Sequence, residues 1–76
     1  MDRLKDKNML ALVPGEYIAV AARSLPDAAT SADETQQTTI VVPRVGKVLI
    51  TFKRFMHKRG KTTRWFWTAE NAVEVP

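Results

Sequence analysis

The sequence predicts a mainly β domain, a small five- to six-stranded SH3-like or OB-like barrel with one long basic hairpin. Three observations carry that expectation. Runs dense in β-branched and aromatic residues recur at 38–42, 47–57 and 61–68. Gly and Pro punctuate the chain at Pro14-Gly15, Pro43, Gly46 and Gly60. A chain of 76 residues with 45% hydrophobic composition suits one small domain, 1–76, with a thin core.

Taken in order, residues 1–9 fit either one helical turn or a mobile segment. Residues 10–13, expected as a first short strand, and 16–23 flank Pro14-Gly15, a dipeptide suited to a type II turn because Pro fixes φ and Gly accepts a positive one. In the second of these segments Ile18, Val20 and Ala22 alternate against Tyr17, so a strand is expected over 16–23. Residues 24–37 contain no basic residue and read as an acidic polar loop, part of which, 27–34, could coil into a short helix. A strand is expected at 38–43, ended by Pro43, which has no N–H for a ladder. Long extended segments at 47–57 and 61–68 flank the Gly60 turn and form a hairpin. A turn at 69–72 and a short strand at 73–75 close the barrel.

A two-residue loop at Arg59-Gly60 sets the expected register. One face pairs Phe52 with Trp67, Ile50 with Ala69, Arg54 with Trp65 and Met56 with Thr63, and this face is the candidate core. The other pairs Lys53 with Phe66, Phe55 with Arg64, Thr51 with Thr68 and His57 with Thr62. A three-residue loop with a bulge would shift these pairs by one. The arm from Lys47 to His57, eleven residues long, would reach about 36 Å at 3.3 Å per residue. It must therefore bend around a barrel or project beyond the core.

Composition removes several chemistries. There is no cysteine and a single histidine, so disulfides, thiolate nucleophiles, sulfur- or histidine-built metal sites and a histidine triad are not expected. No cofactor is expected either. Asp33-Glu34 is a carboxylate pair on a loop, a poor arrangement for acid/base work, and His57 reads as an ordinary residue near the hairpin tip. The expectation is a protein that is not an enzyme. The apolar run Met9 to Val13 has five residues, short of the 7–15 or so of a signal segment and the roughly 20 of a membrane span. A soluble cytoplasmic protein that does not engage membranes is expected.

The charge is segregated. Twelve Lys+Arg and eight Asp+Glu give +4 overall. Arg44, Lys47, Lys53, Arg54, Lys58, Arg59, Lys61 and Arg64 fall within 44–64 without one acidic residue. That is +8, so the remaining 55 residues carry the difference, −4. A basic patch of this size attracts polyanions through counterion release. Phenyl rings beside cations offer surfaces for unpaired bases. The expected function is non-catalytic nucleic-acid binding through Arg44, Lys47, Lys53, Phe55, Lys58, Arg59, Lys61, Arg64 and Phe66, with single strands slightly ahead of duplex. Solvent-facing cations also guard hairpins against edge aggregation. The competing expectation is therefore a small protein-interaction module, an inhibitor or regulator of the kind mobile elements carry, that binds an acidic partner protein. A thin core also makes a homodimer a candidate state.

Overall fold

The computed structural model describes residues 8–76, so the reading of 1–9 falls almost wholly outside the described residues. The architecture is mainly β, but it is an open antiparallel sheet of three strands in the order β1-β2-β3 and not a closed barrel. β1 is Thr35–Val42, β2 is Gly46–Arg59 and β3 is Thr62–Glu74. A single 3₁₀ turn, Leu10–Leu12, and one helix, α1, Gly15–Arg23, precede the sheet.

The barrel fails because its first two expected strands are helical. Residues 16–23 satisfy two periods at once. Ile18, Val20 and Ala22 alternate, yet Tyr17, Ile18, Ala21, Ala22 and Leu25 also recur at spacings of three and four. Three alanines tip the local preference toward helix. The Pro14 carbonyl accepts from the N–H groups of Tyr17 and Ile18 at 3.0 and 3.3 Å, and Glu16 and Arg23 sit at the dipole ends that favour them. Packing settles the choice: Ala21 is buried with Tyr17, Ile18 and Ala22 half-buried beside it, while Val20, expected to share a strand face with Ile18 and Ala22, is 59% exposed. Residues 10–13 form no strand either. Asn8 Oδ1 accepts from the Leu10 N–H at 2.9 Å and the Ala72 N–H at 3.0 Å, and Met9 N–H donates to the Ala72 carbonyl at 2.7 Å. These bonds pin the start of the 3₁₀ turn against β3.

The later elements are longer than their composition suggests. β1 begins at Thr35, so Thr35, Gln36 and Gln37 are strand and the loop shrinks to 24–34. The separate turn at 69–72 and strand at 73–75 do not form. β3 runs through them to Glu74 and accommodates Glu70 as a bulge, since Thr51 pairs with Asn71 while Phe52 pairs with Ala69.

The hairpin loop is Gly60-Lys61, because Arg59 pairs with Thr62. Gly60 holds φ +58, a backbone conformation that costs glycine nothing. Moving the loop by one residue slides the expected pairs from Phe52 to His57 by two, while beyond the bulge Thr51 and Ile50 slide by three, to Asn71 and Ala72. Phe55 now faces Phe66, Met56 faces Trp65, Arg54 faces Trp67 and His57 faces Arg64. A slip of two preserves which residues share a face, so the two-sided composition of the hairpin survives.

The core is small. Val48, Ile50 and Phe52 are fully buried in a column along β2, joined by Val13, Ala21, Val42 and Ala72. It covers only the first half of the hairpin. β2 alone spans roughly 46 Å at 3.3 Å per residue, which matches the longest dimension of the molecule, 46 × 27 × 20 Å. Met56 and Trp65, expected in the core, lie beyond its end and are 51% and 39% exposed. Trp67 sits at the boundary, half-buried and packed against the core cluster.

The β1–β2 connection stores strain. The Val45 N–H donates to the Val42 carbonyl at 3.1 Å across Pro43-Arg44, and Arg44 has φ +70, the one non-glycine residue with positive φ among the described residues. Proline followed by a positive φ is the type II pattern, whose third position favours Gly or Asn. Arg44→Asn keeps the turn and relieves the side chain. It is expected to stabilise the domain by about 0.5–1 kcal/mol, read as a rise of a few degrees in Tm by thermal circular dichroism. An unchanged or lower Tm would show that the Arg44 side chain compensates its own strain.

Candidate nucleic-acid interface

Alternation along the two long strands sorts the distal hairpin into two unlike surfaces. On the sheet face turned away from α1, Lys53, Phe55, His57 and Arg59 of β2 stand beside Thr68, Phe66, Arg64 and Thr62 of β3, pair by pair. Nothing among the described residues covers this end, and both phenyl rings are exposed, Phe55 at 40% and Phe66 at 44%. Their centroids lie 6.3 Å apart with planes inclined by 23°, a stacked arrangement. Lys53 Nζ is 5.8 Å from the Phe55 centroid, within range of the ring's negative face. Toward the tip, His57, Arg59, Thr62 and Arg64 line a shallow depression of about 230 Å³. The surface is thus a phenyl pair with Lys53 on one side and Arg59 and Arg64 on the other.

The face on the α1 side carries Arg54, Met56 and Lys58 with Trp67, Trp65 and Thr63 opposite. Here the cation is spent internally. The Arg54 guanidinium lies 4.7 Å from the Trp65 ring centroid. It donates from Nη1 to the carbonyl of Ala28 at 3.4 Å and to that of Ser31. Trp67 Nε1 donates to the Pro26 carbonyl at 2.7 Å. The backbone of Arg54 adds a bond from its N–H to the Glu34 carbonyl at 2.8 Å. The expected solvated loop is therefore docked, with Ala28 buried beneath it, while Asp27, Asp33 and Glu34 remain exposed. Charge segregated along the sequence becomes charge segregated across the sheet.

Of the sequence-derived candidates, Lys53, Phe55, Arg59, Arg64 and Phe66 come together on the open face. Lys61 occupies the loop at its end. Lys47 shares the face but lies six residues down β2, about 20 Å from Lys53. Lys58 belongs to the opposite face, and Arg44 to the turn at the other end of the molecule, so neither joins the cluster. Two contributors escaped the sequence reading. His57 joins the depression through its pairing with Arg64. Arg54 organises the loop, and its signal was present: a guanidinium on the apolar face between Phe52 and Met56 must find acceptors.

Among the described residues no three His, Cys, Asp or Glu side chains gather as a metal site. No helix of the described residues is long and apolar enough to cross a membrane. No protein-family model, curated protein or solved structure matches this chain, so its chemistry has to be read from the residues themselves.

Arg54→Ala is expected to cost about 1–3 kcal/mol, because it orphans two loop carbonyls as well as removing a charged donor. Amide exchange should accelerate across 27–34 while β1 stays protected. Arg54→Lys should recover only part of the loss, since an ammonium lacks the flat face that the guanidinium lays on the Trp65 ring. Unchanged exchange in the loop would rule out the clamp.

Proposed function

We propose that this chain is a non-catalytic nucleic-acid-binding protein that uses the distal part of the basic hairpin 44–64. The observation that supports the reading best is the exposed Phe55–Phe66 pair set between Lys53 and the Arg59–Arg64 corner on an open sheet face. Phosphates attract the cations without regard to sequence, and rings at this height offer stacking to bases. A surface meant only for phosphates has no use for two half-exposed phenyl rings, which is why single strands are favoured over duplex. A cytoplasmic setting belongs to the same proposal. So does the absence of a reaction: the face offers cations, rings and one imidazole, a set suited to binding.

The second reading, a module for an acidic partner protein, draws on the same rings, since aromatics and arginine anchor protein interfaces. Binding to labelled single-stranded and duplex DNA and to RNA, followed by anisotropy over a range of salt, separates the two. Contacts from Lys53, Arg59, Lys61 and Arg64 should give a log K against log salt slope of about −3 on a single strand. Phe55→Ala or Phe66→Ala should each cost about tenfold or more, the value of one stacked base, and leave the slope intact. A duplex binder would lose little with either substitution. Weak binding to every nucleic acid at low salt would favour the acidic protein partner.

A further inference from the structure

The two free edges of this sheet are treated differently. The outer edge of β3 is guarded: Glu70 bulges from it, and Arg64, Glu70 and Glu74 place charges along it. The Asn8 side chain and Met9 bond to it at Glu70 and Ala72. These are the devices by which sheets avoid pairing with other chains. Among the described residues the outer edge of β1 has none of them. Its eight residues, Thr-Gln-Gln-Thr-Thr-Ile-Val-Val, include no charge and no proline. Among the described residues no backbone bond reaches its outer side.

We infer that β1 is the interface for a second copy of this chain, joined antiparallel across a two-fold axis at Thr38 into one six-stranded sheet. The ladder itself selects that register. Because the Arg54 N–H bonds the Glu34 carbonyl in line with the β1–β2 pairing, even-numbered residues of β1 direct their N–H and C=O groups to β2. Thr35, Gln37, Thr39 and Val41 direct theirs outward. Two such strands use all four outward residues only when Gln37 faces Thr39 and Thr35 faces Val41, which puts Thr38 on the axis. Neighbouring registers, centred on Gln37 or Thr39, strand one outward residue per copy.

Charge points to a self-partner. Each copy carries +4, so contact through the basic hairpin would set like charges together, and β1 offers an uncharged seam. The pairing covers Val41, at 71% the most exposed large hydrophobic residue described. It also brings two α1 helices, which rest over β1, to one side of the junction, where Val20 is exposed. Both hairpin faces then lie on the opposite side, at the two ends of one sheet. The dimer stands on the edge geometry alone, whatever the hairpin binds.

The test is the solution mass, followed by two kinds of variant. Sedimentation of the full chain should give twice the monomer's 8.6 kDa at high concentration. Gln37→Pro removes an outward N–H and the side-chain bond from Gln37 Nε2 to Thr51 Oγ1, and leaves every backbone bond of the β1–β2 ladder in place. It should sediment as a monomer with an unchanged circular dichroism spectrum. The natural chain has no cysteine, so Thr38→Cys introduces one thiol at the axis. In a non-hydrogen-bonded pair the two Cα atoms stand about 4.5 Å apart, close enough for a disulfide. Thr38→Cys should therefore cross-link on mild oxidation. Val41→Cys, about 20 Å from its counterpart, should not. A natural chain that stays monomeric at millimolar concentration overturns the inference. So does a dimer that survives Gln37→Pro, or one in which Val41→Cys cross-links as readily as Thr38→Cys.

Discussion

The structure depends on a mismatch of lengths. Two strands of 14 and 13 residues are welded into one hairpin, but the apolar residues preceding them suffice to cover only half of it. α1, the 3₁₀ turn and the docked loop enclose Val48, Ile50 and Phe52 and end there. Beyond Arg54 and Trp67, which the docked loop reaches, no second layer covers the hairpin among the described residues. Its ladder and cross-strand pairs hold it together, and both of its faces are open to water or to a partner. A longer helix over the sheet would have made Met56 and Trp65 core residues and left no projecting arm.

Where the cover ends, the chain uses polar groups to finish the job. Arg54 and Trp67 occupy the first uncovered positions on the α1 side, and each reaches a backbone carbonyl of the loop. A loop with few large apolar side chains is thereby fixed without burying much surface of its own. Partly burying the guanidinium is tolerable because its donors find carbonyls and its flat face finds the Trp65 ring. The same clamp holds the acidic loop on one side of the sheet and leaves the cations of the other side free of it.

That separation links the fold to the proposed function. Neither the phenyl pair nor the cations would be distinctive alone, since hairpins commonly carry charge and exposed rings commonly occur singly. Their conjunction depends on β-strand parity, which puts Lys53, Phe55, His57 and Arg59 in one row, and on a register that sets Phe66 and Arg64 beside them. The unguarded β1 edge lies on the far side of the sheet from that hairpin's outer strand, so pairing there and binding at the tip do not compete for the same atoms.

The sequence by itself determined the β character of the last forty or so residues, the hairpin, the two compositions of its faces and the clustering of charge. These are properties of neighbours in the chain: alternation has a period of two, Gly60 permits the turn, and a slip of two residues leaves parity intact. It did not determine the state of residues 16–23, where strand and helix periods coincide and only the burial of Ala21 against the sheet decides. Nor did it show that Trp65 and Met56 lie outside the core, since an apolar residue reads the same whether or not another element reaches it. The docking of the loop was hidden for a further reason. Its acceptors at Pro26, Ala28 and Ser31 are backbone carbonyls, which every residue has, and only the folded chain brings Arg54 and Trp67 to them.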